Sequence, residues 1–212
     1  KAIAVKAAAN AALHFDGVDD FVELPYSSDL NITGNLTIDT WFYLPNDYSG
    51  GSVILGRFDG TTGTNVAYSI RISGGGEIYS QLGNGIDFAN SSKISIDNLK
   101  GEWSHITVSF NSDSDKINIY LNGIHFGETT GTGSLKSMSS SNAKLSIGTY
   151  KGGNYNGQYF KGKVDELRIW NKVLTQEEIE SQMYKTLKGN ESGLVAYYDF
   201  NEGVPGTDNT AN

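Results

Sequence analysis

Val164-Asp165-Glu166-Leu167-Arg168-Ile169-Trp170-Asn171 and, almost a whole domain earlier, Phe15-Asp16-Gly17-Val18-Asp19-Asp20-Phe21-Val22 decide how this chain reads. Each sets an acidic residue beside a stretch that alternates like a β-strand. Neither has the residue mix of a catalytic centre. A carboxylate fixed at a strand end is a hard oxygen donor, which suits Ca²⁺ better than chemistry on a substrate.

The residues between these stretches are mostly strands. Leu36 to Leu44 places Leu36, Ile38, Phe42 and Leu44 on one face, with Thr40 among them, and Trp103 to Phe110 aligns Ile106, Val108 and Phe110. Lys116 to Leu121 follows, and Asn122-Gly123 then supplies the two positive-φ residues of a type I′ hairpin turn. Shorter strands are expected at Val53 to Gly56, Val66 to Ile72, Glu77 to Leu82 and Lys144 to Gly148, with a last one at Gly193 to Phe200. Strands this frequent, joined by Gly-rich turns, read as an antiparallel sandwich rather than an α/β fold. One helix interrupts them. Thr175-Gln176-Glu177-Glu178 is a capping box, Ile179, Met183 and Leu187 form a stripe, and Gly189 is the expected stop.

Composition narrows the function. A chain of 212 residues fits one large β domain or two small ones. Its net charge of −8, from 24 acidic and 16 basic residues, argues against nucleic acid and against anionic membranes. Acidity of this size reads first as a solubility device. The absence of cysteine excludes disulfide frameworks and thiolate chemistry without fixing the compartment. No apolar run approaches the roughly 18 residues that span a bilayer. Lys1 to Ala12 is Ala-rich without a long apolar core, so it does not read as an intact signal peptide, and the chain reads as a piece of something longer.

Five motifs in order carry a family resemblance. They are the Phe15-to-Asp20 element, Trp103 with His105, the Ile119-to-Gly123 hairpin, the Gly162-to-Asn171 strand, and the Thr175-to-Ile179 helix followed by Gly193 to Gly203. On these the chain resembles the laminin-G-like, concanavalin A-like jelly-roll domains of secreted, typically bacterial, multidomain proteins. The resemblance runs from about Ala12 to Phe200. It implies an all-β, two-sheet antiparallel jelly roll with one peripheral helix, read here as a single domain over residues 1–212 with a polar tail or linker after Phe200. It also implies a structural Ca²⁺ held by Asp165 and Asp16, with Asp19 or Asp20 as the third group. The alternative is that these aspartates cap turns or pair with Arg168.

Catalytic constellations are harder to assemble. No E-x-D-x-x-E run, G-x-S-x-G elbow or phosphate-cradling loop occurs. Asn111 to Asp115 starts like an EF-hand loop, but Lys116 and Asn122 stand where that loop needs Gly and Glu. His14, His105 and His125 are scattered and read as structural, while a lyase arrangement of Tyr, His and Arg stays open. Trp41 and Trp103 are assigned to the core or its edge. Tyr150, Tyr155 and Tyr159 flank a Gly/Asn-rich loop, and Tyr48, Asp59 and Asn84 lie in others that are expected to join them as a glycan-binding site. Tyrosines as simple loop anchors are the competing reading. The sequons at Asn31, Asn35, Asn90 and Asn190 say little in a chain so rich in Asn, Ser and Thr.

The sequence therefore predicts a non-catalytic extracellular recognition module, secreted or on a cell surface, that binds a polysaccharide or glycan or serves adhesion beside other modules. A polysaccharide-degrading enzyme and a structural spacer on the same fold are the alternatives.

Overall fold

A computed structural model describes residues 11–58, 66–133, 135, 144–150 and 158–201. In chain order its strands begin with β1 (Leu13–Asp16), β2 (Val22–Glu23), β3 (Leu36–Tyr43), β4 (Ser52–Phe58) and β5 (Val66–Ile72). Next come β6 (Glu77–Gly83), β7 (Phe88–Asn90), β8 (Ile94–Ser95), β9 (Trp103–Asn111) and β10 (Lys116–Leu121). After β11 (Ile124–Thr130), β12 (Leu145–Ile147) and β13 (Lys161–Trp170), helix α1 (Gln176–Gln182) precedes β14 (Leu194–Tyr198). Among the described residues these strands form two seven-stranded antiparallel sheets. Sheet A runs β1-β13-β3-β9-β10-β11, with β14 also on β13; sheet B runs β2-β12-β4-β5-β6-β7, with β8 also on β6. This is the expected jelly-roll sandwich with one helix.

Strand alternation explains the core. Leu36, Ile38, Phe42 and Leu44 face inward with Ile106, Val108, Phe110, Ile117 and Ile119 of sheet A, and meet Leu55, Ile70, Ile72, Ile78 and Leu82 of sheet B. Each is almost wholly removed from water. Burying such a side chain stabilises the fold by roughly 1.5–3 kcal/mol before chain entropy is charged against it. The β10–β11 turn has Asn122 at φ +51° and Gly123 at φ +80°, as a type I′ turn requires. Asn111 caps the preceding turn, accepting from the Asp113 and Ser114 amides at 2.9 and 3.1 Å.

The strand β13 breaks the alternation once. Both Val164 and Leu167 enter the core, three residues apart, which a period of two forbids. A bulge between Asp165 and Arg168 absorbs the extra residue, and Glu166 takes φ +54° within it. On the free side of β13, β1 pairs with residues up to Val164 and β14 pairs from Leu167 onward. The first and last strands thus lie end to end along one edge, separated by the bulge.

Helix α1 begins as the capping box predicts. The Glu178 amide donates to Thr175 Oγ1 at 3.2 Å, and the Thr175 amide donates to Glu178 Oε2 at 2.9 Å. It ends earlier than expected. Met183 is the C-cap, so Leu187 and Gly189 lie beyond the helix. The reason is tertiary: Arg168 donates to the carbonyls of Gln182 (3.0 Å) and Lys185 (2.7 Å), and Trp41 Nε1 donates to that of Met183 (2.8 Å). The helix has no basic residue in its last turn, and the sheet supplies the cation there.

Candidate functional site

The outer face of sheet A carries two kinds of surface. Over its middle, α1 seals Tyr120, Trp170, Leu174 and Ile179 into a second apolar cluster. Beneath the helix and the turn after it lies a buried polar network centred on Asp39. Its Oδ2 accepts from Trp170 Nε1 at 2.9 Å, and its Oδ1 lies 3.1 Å from His105 Nε2 and 3.5 Å from Arg168 Nη1. Thr107 Oγ1 is 3.4 Å from His105 Nδ1, which completes a hydroxyl–imidazole–carboxylate chain like that of hydrolases. His105 is 0% exposed, so no substrate reaches it and the chain is structural. Arg168 also meets Glu166 at 2.7 Å, and Tyr197 donates to the same carboxylate at 2.9 Å.

Beyond the helix the same face is open. The register places His14 of β1 opposite Lys163 of β13, Lys163 opposite Tyr43 of β3, and Tyr43 opposite Trp103 of β9. Four strands thus set four side chains in one row at neighbouring-strand spacing, about 5 Å apart. The Tyr43 and Trp103 rings are half-buried, with centroids 6.0 Å apart, and the Lys163 ammonium stands 5.6 Å from the Tyr43 ring centre. A shallow groove of about 220 Å³ opens beside the row, lined by His14, Asp16, Tyr43, Pro45, Lys161 and Lys163. Gly162 forms part of its floor, where a side chain would collide with the Tyr43 carbonyl. Lys161 reaches Asp47 at 2.6 Å, and that hydrogen bond holds the Asp47 carboxyl below its usual range. Sequence reading missed this row. Its signal was the strand alternation: Tyr43 and Trp103 share the outward phase of Trp41 and His105, and only the end of the helix decides which pair is covered.

The two expected halves of a metal site are not brought together. Asp16, Asp19 and Asp20 are exposed and offer carboxylate oxygens within 4.8 Å of one another. Asp16 Oδ1 accepts from the Val18 amide at 2.7 Å, and Asp20 Oδ2 accepts from the Asp16 amide at 2.9 Å, so the loop is folded around its own carboxylates. Asp16 pairs with Lys161, which places Asp165 four residues further along β13, or about 13 Å at the rise of a strand. Asp165 is buried, and its Oδ1 accepts from the Glu166 amide at 2.8 Å inside the bulge. The donor set Asp16, Asp19 and Asp20, all hard oxygens, fits Ca²⁺ if carbonyls or water complete six to eight ligands. Asp165 does not fit that set. Arg168 meets Glu166 and Asp39.

The expected tyrosine site is also revised. Tyr150 is 3% exposed and packs edge-on against Phe58 with centroids 4.1 Å apart. Tyr48, also 3% exposed, bonds Ser52 Oγ at 2.7 Å and contacts the Phe160 ring. Neither ring offers a face for stacking, because both fill the packing beside sheet B. Asn84 serves its own turn, accepting from the Ile86 and Asp87 amides and donating to the Thr132 carbonyl. Tyr159 is half-buried; Tyr155 and Asp59 lie outside the described residues.

Comparison with known proteins follows the geometry. Residues 16–180 match the family model described as the concanavalin A-like lectin/glucanases superfamily, laminin G type. No curated protein matches the chain in sequence. A Bacteroides ovatus protein given a provisional carbohydrate-binding assignment superposes with a TM-score of 0.67 at 18% identity, over 88% of this chain and 52% of that one. The chain therefore spans about half the length of that relative. The CBM40 domain of a Ruminococcus gnavus IT-sialidase, solved with α2,3-sialyllactose, gives 0.58 at 13% identity over 77% and 96%. A SAP-like pentraxin of Limulus polyphemus gives 0.54 at 17% identity over 79% and 78%. Identities this low establish a shared fold. Among the described residues no helix is long and apolar enough to cross a membrane. With more than half of its length matched by the family model, the chain belongs to the laminin G branch of the concanavalin A-like lectin/glucanase superfamily.

Proposed function

We propose that the chain is a non-catalytic carbohydrate-binding module of an extracellular protein, and that its sugar surface is the row His14, Lys163, Tyr43 and Trp103. The observation that carries this reading is the pairing of Tyr43 with Trp103, two half-buried rings opposite each other beside an open groove. A sugar ring buries its apolar C–H face on an aromatic ring while neighbouring polar groups bond its hydroxyls. At about 25 cal/mol per Å², each stacking contact is worth ~1 kcal/mol. Two such contacts give weak binding, roughly millimolar to micromolar once association entropy is met. Avidity among tandem modules would raise it. The neighbouring structures support the same class, since one is a sialidase-associated module holding sialyllactose.

A structural Ca²⁺ in the loop of Asp16, Asp19 and Asp20 belongs to this proposal. The ion would draw together three exposed carboxylates at the end of β1 and so fix the strand that contributes His14 to the row.

A glycan array tests the reading, run with the chain, with Trp103→Ala and with chelator. Binding that falls about fivefold or more in Trp103→Ala supports it, as the loss of one such contact requires. An array without any binder, or binding indifferent to Trp103 and Tyr43, contradicts it. Product assays on bound polysaccharides should stay at background, and turnover by the chain alone would contradict the non-catalytic part.

A further inference from the structure

We infer that Arg71 of β5 anchors a second, separate site on the outer face of sheet B, which takes the acid group of a charged saccharide. Ile70, Ile72, Ile78 and Leu82 face the core, so Arg71, Tyr79 and Gln81 stand on the opposite face of their strands, away from sheet A and its row. Arg71 Nη1 donates to Gln81 Oε1 at 3.0 Å, and Nη2 donates to Gln158 Oε1 at 3.1 Å. Both acceptors are neutral amides. Among the described residues no carboxylate pairs with Arg71.

Arg71 thus differs from the cations of this chain that meet a carboxylate. Arg168 meets Glu166, Lys93 meets Glu77, Lys116 meets Glu128, Lys144 meets Glu23 and Lys161 meets Asp47. Acidic side chains outnumber basic ones by 24 to 16, yet among the described residues only neutral amide oxygens hold this half-buried guanidinium. Two amide oxygens hold it from two directions, so little rotamer freedom remains to be lost on binding. Two of its five N–H donors are used, which leaves three for a ligand. A guanidinium so placed matches the two oxygens of a carboxylate or of a sulfate ester.

The surroundings say what carries the acid group. Tyr79 lies directly opposite Arg71 on β6, its ring half-buried, with the Lys93 ammonium 5.5 Å from its centre. Gln81 Nε2 donates to Asn90 Oδ1 at 3.4 Å, and Tyr159 follows Gln158. An aromatic face beside amides that bond hydroxyls is chemistry for a sugar. The net charge of −8 repels polyanions at a distance, so an anion that binds must be met locally. This site does not depend on the Tyr43–Trp103 row.

Calorimetry with matched pairs tests the inference. The probes are oligogalacturonate and its methyl ester, sialyllactose and lactose, and a sulfated galactan fragment and its desulfated form. At least one acidic member should bind about tenfold more tightly than its neutral partner. That advantage should vanish in Arg71→Gln and persist in Tyr43→Ala. A carboxylate-only or sulfate-only preference identifies the acid group. The inference is overturned if acidic and neutral partners bind alike, if the preference survives Arg71→Gln, or if no acidic member binds. Binding that is lost in Tyr43→Ala, with no acid preference in the unaltered chain, removes the Arg71 site and leaves the sheet A reading intact. If Arg71→Gln does not fold, Arg71→Lys, which keeps the charge but loses the planar fork, takes its place, and an acid preference undiminished there overturns the inference.

Discussion

Glu166 and Arg168 form an ion pair of 2.7 Å beneath the helix, with Glu166 held at φ +54° in the bulge of β13. Arg168 then reaches past it to the carbonyls of Gln182 and Lys185, so one guanidinium ties the longest strand to the end of α1. Removing one partner of a buried pair leaves the other charge uncompensated. Arg168→Met is therefore expected to destabilise the fold by about 3–5 kcal/mol. Denaturant unfolding measures it, and a change below about 1 kcal/mol would show that the latch is dispensable.

Calcium binding should follow the revised ligand set. A metal that binds only the folded chain stabilises it by on the order of 3–4 kcal/mol at 100–1,000 times Kd. Chelator is expected to lower the melting temperature by several degrees in the unaltered chain and to have no effect in Asp19→Asn/Asp20→Asn. Asp165→Asn should keep the calcium response, because Asp165 lies inside the bulge. A calcium response abolished only by the Asp165 change would restore the original ligand set.

Alkali should unfold the protein through its buried phenols. Desolvation first, and then the hydrogen bond to Glu166, push the Tyr197 hydroxyl up to about 12 from 10.0. Burial pushes Tyr68 up as well. A raised phenol pKa means that the fold favours the neutral form. That stabilisation is complete below pH 10 and, for Tyr197, is lost as pH rises toward 12. Urea midpoints measured from pH 8 to 12 should fall across this window, and less steeply in Tyr197→Phe. Equal slopes would mean that Tyr197 ionises freely in the folded state.

Much of the architecture was legible because it rests on local patterns. The alternation of Leu36 to Leu44, the Asn122-Gly123 turn and the Thr175 capping box all sit where the sequence places them. The bulge was not legible, because Glu166 occupies a left-handed position that usually advertises itself with Gly. The helix stop was hidden for another reason: its last carbonyls are taken by Trp41 and Arg168, which are remote in sequence. Asp165 enters the expected metal site through the family resemblance, and nothing local to it announces the bulge in which it is buried. Trp41 and Trp103 carry the same strand pattern, and only the tertiary fold separates the covered Trp41 from the half-buried Trp103.

Trp103 offers the most direct test of the sugar surface. Of the three tryptophans, Trp41 and Trp170 are 2% and 1% exposed, while Trp103 is half-buried in the proposed row. Acrylamide quenching of intrinsic fluorescence therefore reports chiefly on Trp103, and Trp103→Phe identifies its share. Titration with a neutral oligosaccharide that binds by calorimetry is predicted to protect that share in step with occupancy. A saccharide that saturates the protein and leaves Trp103 as quenchable as before would contradict the account.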